Sequence, residues 1–342
     1  MLTSAAASAL RDHGSEELKA RFLRQLVSGE WTGTMNLTEP QAGSDLSALR
    51  STAESEGDYY RLRGKKIFIT WGDHDLTDNI LHFVLARTPE SPPGIKGISL
   101  FLVPKRIPSE DGKPMVSNDI TTVSIERKLG LHGSPTCVLS YGDTSGSKAY
   151  LVGEENQGLV YMFTMMNKSR ISVGVDGIAL SERAYQNALA YARDRVQGNP
   201  PGYTEPGPIL HHPDVRRMLM LMRSCNEAMR ALAYRAAFVS DVARTSRDQE
   251  TRERAVVRLS VLTPIIKAWC SELGQEMVSL GLQVHGGLGY IEETGAAQLL
   301  RDARITTIYE GTTGIQARDL IGRKLINDDG RGIGVLLDEI QA

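Results

Sequence analysis

The chain has 342 residues, of which 41% are hydrophobic and 23% charged, a composition typical of a globular protein with about two domains. Its net charge of −2 leaves no basic footprint, which argues against a protein that works mainly by binding nucleic acid. No apolar run approaches the roughly 18 residues that cross a bilayer, and the first residues lack the basic leader of a signal peptide. We therefore expect a cytoplasmic protein that does not bind membranes and keeps its three cysteines reduced.

The first predicted element is a helix over residues 16–27. Leu18, Phe22 and Leu26 share one face of it, acidic residues stand at its start and Gly29 follows its end. Between residues 51 and 152 the pattern changes to short β-type runs separated by turn residues. The predicted strands cover residues 59–62, 66–70, 80–86, 98–103, 120–125 and 137–141. Because no helices lie between them, these strands favour an antiparallel sheet or barrel.

From Gly158 onward the pattern is helical. In residues 214–243 apolar side chains recur at alternating steps of three and four, which predicts a seam that packs helix on helix. Residues 254–284 continue the pattern, and Pro264 can kink that helix. We interpret the methionines of the seam as bundle core and not as a cofactor site. The predicted fold class is α+β, with a helical piece at residues 1–30, a β domain at 31–155 and a helical bundle at 156–342.

Residues 38–45 have the composition of a ligand-binding turn. Pro40 interrupts regular structure, and Gly43 can adopt backbone angles closed to other residues, so that neighbouring N–H groups can face an anion or a ring edge. Thr38 and Ser44 add hydroxyl groups. On these grounds alone, an ordinary polar turn is the simpler interpretation.

A second segment, Ile-Tyr-Glu-Gly-Thr at residues 308–312, would by itself be interpreted as a surface turn. Together, in this order and far apart, the two segments resemble the two signatures of the acyl-CoA dehydrogenase family. Members of that family use FAD and one carboxylate to remove two hydrogens from the α and β carbons of a CoA thioester. The resemblance covers nearly the whole chain and implies the fold of that family, with most of its N-terminal helical domain absent.

The resemblance implies several contacts with FAD. In the first segment, Met35, Leu37, Thr38 and Ser44 match residues that contact the flavin. Residues 64–72 are similar to the next signature, in which an aromatic side chain covers the flavin and a threonine bonds near its reactive nitrogen. Phe68 and Thr70 take those two positions, although the family often has tryptophan where Phe68 stands. The alternative is a β-strand with one aromatic core residue.

Glu310 is the candidate catalytic base. An α C–H beside a thioester is a very weak acid, so its removal requires a carboxylate held close in a dry site. Burial raises the pKa of a carboxyl towards neutrality and makes its carboxylate a stronger base. The resemblance places the family's base at Glu310, Thr312 beside the cofactor, and Ser44, Tyr309 and Gly311 beside the substrate.

Further matches concern CoA and the subunit interface. Asn167 and Arg170 match residues that hold the CoA portion, with a solvated helix face as the alternative, and no rival carboxylate stands just before Arg170. Arg195, Gln283 and Gly287 resemble segments that reach a neighbouring subunit's FAD. The pair Gly286-Gly287 is also compatible with a helix C-cap. The histidines are scattered and predict no metal site.

The resemblance implies conversion of an acyl-CoA to a trans-2-enoyl-CoA, an electron-transfer flavoprotein as electron acceptor, and a homodimer or homotetramer. Within the family, residues 32–37, 72–75 and 212–218 are similar to the branch that contains bacterial 3-methylmercaptopropionyl-CoA dehydrogenases of dimethylsulfoniopropionate breakdown. One alternative is a truncated, catalytically impaired member that binds FAD or a partner without turnover. A second, a DNA-associated flavoprotein of the alkylation-response type, would require a basic surface and an extra C-terminal domain.

Overall fold

The computed structural model describes residues 1–108 and 115–341. The chain divides into two compact units, Met1–Lys128 with His132–Ser169 and Leu129–Leu131 with Arg170–Ala342. Residues 1–30 thus belong to the same unit as the sheet, while the predicted domain ranges stay predictions. Over the two described ranges, none of the helices is both long and apolar enough to cross a membrane.

The first unit begins with helices. They are α1 (Leu2–His13), α2 (Glu16–Leu18), a π-helical turn (Lys19–Leu23) and α3 (Arg24–Ser28). The hydroxyl of Ser15 caps α2 by accepting the N–H of Leu18 at 3.2 Å, and Gly29 ends α3 at φ 80°. The helix predicted over residues 16–27 is confirmed. Helix α1 had no counterpart in the prediction, although Ala5, Ala6, Ala9 and Leu10 form a buried helical face.

Ten strands follow. They are β1 (Thr32–Asn36), β2 (Thr52–Glu56), β3 (Tyr59–Thr70), β4 (Ile80–Ala86), β5 (Ser99–Pro104), β6 (Arg106–Ile107), β7 (Val116–Ser117), β8 (Ile120–Ile125), β9 (Thr136–Tyr141) and β10 (Ser147–Leu151). The main sheet has the order β1-β4-β5-β10-β3-β9-β8, with β2 on β3, while β6 pairs with β7. The expected antiparallel pairing holds except between β1 and β4, which are parallel.

Two details of the sheet differ from the prediction. The runs 59–62 and 66–70 form one strand, β3, because Gly64 continues the strand instead of turning the chain. At φ 151° Gly64 lies against Ser51, whose Oγ would be 2.2 Å from an added Cβ. Strands β1, β2 and β10 were missed because their short, polar or glycine-containing sequences lack a clear alternation.

The sheet is buried on both faces, as the alternating side chains of β4 show. Phe83 and Leu85 pack in a core with Phe22 and with residues of α1. Val84 and Ala86 instead join a second core on the sheet.

The second unit is helical. Its helices are α4 (Gly158–Asp194, which begins in the first unit), α5 (Pro213–Thr245), α6 (Gln249–Val284), α7 (Ala296–Arg304), α8 (Thr313–Arg318) and α9 (Arg331–Gln341), with a π-helical segment at Asp319–Ile326. Both long helices predicted after residue 213 are confirmed, and α6 continues through Pro264. Met218, Met222 and Met229 of α5 are buried in the hydrophobic cores of this unit, as the apolar pattern of residues 214–243 predicts.

Glycines bring α4 and α6 into direct backbone contact. An added Cβ at Gly174 would lie 2.5 Å from Cγ2 of Ile266, and one at Gly177 would lie 2.4 Å from the carbonyl oxygen of Cys270. A Cβ added at the reciprocal Gly274 would lie 2.7 Å from the carbonyl oxygen of Gly177. Only glycine allows this close approach of the two helices.

Gly177→Ala is therefore expected to destabilise the protein by about 1–3 kcal/mol, because its methyl group must displace backbone. Gly334→Ala in α9 is the matched control, since its added Cβ meets no other described part of the chain within 4 Å. Urea unfolding followed by circular dichroism at a helical wavelength measures both. Equal midpoints for Gly177→Ala and wild type would contradict the close packing.

Candidate active site

The first candidate cluster lies where strand β1 ends. Lys66 of β3 donates from Nζ to the carbonyl oxygen of Leu37 at 3.1 Å and to Oε1 of Glu39 at 2.8 Å. The N–H of Ile67 donates to the carbonyl oxygen of Thr38 at 2.9 Å. Strand β3 thereby fixes the backbone of the residues that were expected to contact a flavin.

The Lys66–Glu39 ion pair is buried, with side chains 0% and 3% exposed. Glu39 also accepts the N–H of Arg50 at 2.8 Å and the N–H and hydroxyl of Ser51 at 3.1 and 2.5 Å. Burial opposes its ionisation, but Lys66 and these hydrogen bonds outweigh burial and lower the pKa of Glu39. The carboxylate therefore ties both ends of the 39–51 segment together.

The expected flavin contacts of this segment differ in exposure. Met35 is buried, Leu37 and Thr38 are half-buried, and Ser44 is exposed. The segment turns at Pro40-Gln41, where Glu39 and Ala42 exchange backbone hydrogen bonds at 2.9 and 3.0 Å. The described geometry is an anchored turn with its outer residues open to a ligand.

Phe68 is an exposed ring on a strained backbone. The pairing of β3 with β9 shifts by one residue between Lys66 and Ile69, and within this bulge Phe68 has φ 59°. Its side chain is 60% exposed, so the alternative of an aromatic core residue is wrong. Strain of this kind in a non-glycine residue is typical of functional sites. Thr70, two residues on, is half-buried at the end of β3.

The second cluster lies in the second unit, around Glu310. Glu310 and Gly311 both have left-handed backbones, at φ 57° and 92°. Gln316 of α8 donates from Nε2 to both of their carbonyl oxygens, at 3.2 and 3.1 Å. Helix α8 starts at Thr313, directly after this loop, and the hydroxyl of Thr312 caps it by accepting the N–H of Ile315 at 3.4 Å. The helix therefore orients the loop that carries the carboxylate.

Arg170 of α4 supports the same loop. Its Nε donates to the carbonyl oxygen of Glu310 at 3.3 Å, and its Nη1 donates to Oδ2 of Asp319 at 2.9 Å. The Arg170 side chain is only 2% exposed, so the alternative of a solvated helix face is wrong for it. Its expected contact with CoA stays a prediction, whereas Asn167, three residues earlier, is exposed.

Burial raises the pKa of the Glu310 carboxyl from its ordinary value of 4.5 to about 7, while the positive charges of Arg170 and Lys267 act in the opposite direction. A carboxylate with this pKa is a stronger base than an exposed one and is still ionised in part at neutral pH. Within the described residues, the N–H of Glu310 has no hydrogen-bond acceptor and can donate to a ligand.

The side chain of Tyr309 is directed towards helix α4 and helps to hold the loop in place. Its hydroxyl donates to Oδ2 of Asp176 on α4 at 3.0 Å. Burial raises the pKa of Asp176 although this hydrogen bond lowers it, and burial also raises the pKa of Tyr309. The side chain of Tyr309 therefore anchors the loop, and its expected substrate contact stays a prediction.

The remaining expected positions lie on the surface of the second unit. Arg195, Gln283 and Gly287 are exposed. Helix α6 ends at Val284 and Gly286 has φ 59°, which agrees with a helix C-cap at this point. Their contact with a neighbouring subunit stays a prediction.

The supporting residues Lys66, Asp319, Gln316 and Lys267 were missed from the sequence. Lys66 and Asp319 pair with residues 27 and 149 positions away, whereas Gln316 binds a loop only five and six positions away. The buried position of a charged residue within an apolar pattern is the one available signal, as for Lys66 between β-type residues and Lys267 in the α6 seam.

Lys66→Met is expected to destabilise the protein by about 3–5 kcal/mol, because it leaves the buried Glu39 without its counter-charge. The exposed neighbour Lys65 gives the matched control Lys65→Met, which should stay within about 0.5 kcal/mol of wild type. Urea titration measures both. A Lys66→Met protein as stable as the control would show that the pair carries no stability.

Glu310→Gln is expected to stabilise the protein at high pH. The folded-state pKa of Glu310, about 7, lies above its ordinary 4.5, so wild type loses stability as pH rises between these values. The glutamine cannot ionise, so the two proteins should match near about pH 4 and differ by roughly 1–3 kcal/mol near about pH 8. Urea unfolding at both pH values measures this, with the exposed Glu205→Gln as control. A difference independent of pH would refute the raised pKa.

Comparison with known proteins identifies the family and the fold of the chain. The family model for the acyl-CoA dehydrogenase C-terminal domain matches residues 156–326, and the model for the middle domain matches residues 34–144. A 3-methylmercaptopropionyl-CoA dehydrogenase of Ruegeria pomeroyi is 53% identical over 97% of the chain, and the chain spans 56% of its length.

Two solved structures share the fold. Butyryl-CoA dehydrogenase from Megasphaera elsdenii is 31% identical with a TM-score of 0.76, over 95% of this chain and 76% of that one. An FAD-dependent dehydrogenase is 26% identical with a TM-score of 0.75, over 93% of this chain and 76% of that one. These matches confirm the expected α+β fold class, and the chain belongs to the acyl-CoA dehydrogenase family.

Proposed function

We propose that this chain carries the catalytic base and the FAD-binding residues of an acyl-CoA dehydrogenase that converts an acyl-CoA to a trans-2-enoyl-CoA. The observation that carries the proposal is the Glu310 carboxyl, held on a left-handed backbone with its pKa raised to about 7. A site that stores strain and raises a carboxyl pKa is typical of catalysis.

Glu310 takes the α proton of the thioester in this mechanism. The carboxylate is ionised in part at neutral pH, and it becomes a neutral acid when it accepts the proton. Charge then develops on the thioester oxygen, which requires fixed donors. The N–H of Glu310, which has no acceptor among the described residues, supports a role as one of these donors.

The first cluster fits FAD by its chemistry. Phe68 offers an exposed flat ring, Thr70 adds a hydroxyl two residues on, and the Lys66–Glu39 pair holds the backbone of Leu37 and Thr38 in place. When bound, FAD supplies the acceptor for the hydride that leaves the β carbon. Met35 and Ser44 are the further proposed contacts in this cluster, and Thr312 is proposed as a contact beside the base. Arg195, Gln283 and Gly287 are proposed to reach the FAD of a neighbouring subunit.

The substrate class follows from the relatives. The Ruegeria pomeroyi relative is named for 3-methylmercaptopropionyl-CoA, and its 53% identity supports the same short thioether acyl group for this chain. We assign Asn167, Arg170, Ser44, Tyr309 and Gly311 to substrate binding as part of the proposal. Membership of the family also supports an electron-transfer flavoprotein as electron acceptor and assembly as a homo-oligomer.

Anaerobic bleaching of the flavin tests the proposal. The purified chain is expected to be yellow and to lose its visible absorbance when 3-methylmercaptopropionyl-CoA is added, and the rates with butyryl-CoA and octanoyl-CoA rank the acyl groups. Glu310→Gln should keep its flavin and be reduced by substrate roughly a hundredfold or more slowly, because no base remains. Stopped-flow absorbance measures these rates.

The exposed Glu205→Gln is the control and should be reduced at the wild-type rate. Unchanged reduction of Glu310→Gln would exclude Glu310 as the base. A yellow wild-type protein that no acyl-CoA bleaches would support the impaired-member alternative, and a colourless one would show that the chain does not hold FAD by itself.

A further inference from the structure

Lys267 of α6 is a buried cation to which the proposed mechanism gives no role. Its side chain is 0% exposed, and its Nζ has no hydrogen-bond partner within the described part of the chain. An ammonium group taken out of water is strongly destabilising unless an opposite charge compensates it. The charges around Lys267 should therefore explain why a lysine stands here.

The helix contacts explain why water does not solvate this ammonium. Lys267 lies between Ile266 and Cys270 on α6, which are the residues that touch Gly174 and Gly177 of α4. Because the two backbones meet there, Lys267 lies in a closely packed part of the helix contact. One turn earlier on α4 stands Arg170, so the two helices contribute one cation each to the same region.

The two cations are engaged differently. Arg170 donates to Asp319 at 2.9 Å and to the backbone carbonyl oxygen of Glu310 at 3.3 Å. Within the described part of the chain, Lys267 donates no hydrogen bond to Asp319 or to the carbonyl oxygen of Glu310. Its pKa is lowered to about 8, because burial and then the positive charge of Arg170 lower it by more than the carboxylates of Glu272 and Glu310 raise it. Glu272 already accepts a hydrogen bond from the hydroxyl of Thr313.

We propose that Lys267 is a positioning residue for Glu310, whose ammonium serves as the counter-charge of the ionised side-chain carboxylate. Arg170 and Gln316 fix the backbone of the loop, whereas Lys267 acts on the reacting group itself. The charge interaction does not depend on the reaction, while its catalytic meaning rests on the proposed function of Glu310 as base.

Other groups contribute to the same electrostatic environment. The titratable and charged side chains of the surrounding elements are Arg170 and Asp176 of α4, Glu272 of α6, Tyr309 of the loop, and Asp319 and Arg323 of the π-helical segment. Asp319 is paired with Arg170, and Asp176 with Tyr309. Removal of the Lys267 cation should therefore change the pKa of Glu310 without breaking a hydrogen bond seen in the structure.

Infrared titration of the Glu310 carboxyl tests the proposal without substrate. The C=O stretch of the protonated acid is followed against pH and identified by its loss in Glu310→Gln. In Lys267→Met the midpoint should rise by about one pH unit or more, because the neutral acid is favoured once the cation is gone. Lys267→Arg should keep the midpoint near that of wild type, and Lys96→Met, at an exposed lysine, should leave it unchanged. A folded Lys267→Met protein with the wild-type midpoint would overturn the proposal.

If Lys267→Met does not fold, a reciprocal measurement on Glu310→Gln tests the same interaction. If the two groups interact, Glu310→Gln must lower the pKa of Lys267 below its value of about 8 by the same coupling. Titration of the [ε-13C]lysine resonances, with Lys267 assigned from its loss in Lys267→Arg, measures this. An unchanged lysine midpoint in Glu310→Gln would reject the interaction.

The pH profile of flavin reduction gives the catalytic readout. With Lys267→Met the rate should be lost at neutral pH and recover at higher pH, whereas a merely structural role would lower the rate at every pH without moving the midpoint. If wild type is not reduced by any acyl-CoA while the infrared midpoint shifts as expected, the proposed function fails and the interaction of Lys267 with Glu310 stands.

Discussion

The buried ion pair between Lys66 and Glu39 is the interaction on which the first candidate cluster depends. Its charges are costly to remove from water, so they persist only because each satisfies several partners at once. Lys66 binds the carbonyl oxygens of Leu37 and Leu85, and Glu39 binds the backbone of Arg50 and Ser51. Strands β3 and β4 and both ends of the 39–51 segment thus meet at one pair, which leaves the outer residues of the turn free for a ligand.

In the second unit, the carboxyl of Glu310 has a different electrostatic environment from that of Glu39. Among the described residues, the carboxyl of Glu310 has no direct ion pair, and burial raises its pKa to about 7. Arg170, which could pair with it, is instead directed to Asp319 and to a backbone oxygen. A buried carboxylate that is fully paired, such as Glu39, makes a structural anchor, whereas one that is only partly compensated retains basicity. The difference between Glu39 and Glu310 is therefore one of partners and not of residue type.

Much of this could be predicted from the sequence. The long helices and the strands with clear alternation follow from patterns within about ten residues, whereas the roles expected of Phe68 and Glu310 came from the resemblance to the acyl-CoA dehydrogenase family. The supporting contacts could not, because Lys66 and Glu39 are 27 positions apart and Arg170 and Asp319 are 149 apart. Helix α1 and strand β1 were missed because small and polar residues give weak local patterns, and their burial comes from the core that they join.

The bulge at Phe68 has a consequence for how this segment can vary. Lys66 pairs with Leu139 and Ile69 with Cys137, so three steps along β3 match two along β9. A change of residue type at Ile67 or Phe68 leaves both pairings in place. Loss of one residue there would instead leave two steps on each strand, which removes the bulge and with it the left-handed backbone on which the exposed Phe68 stands. The segment should therefore tolerate substitutions far better than insertions or deletions, and related chains should keep its length even where they change its aromatic residue.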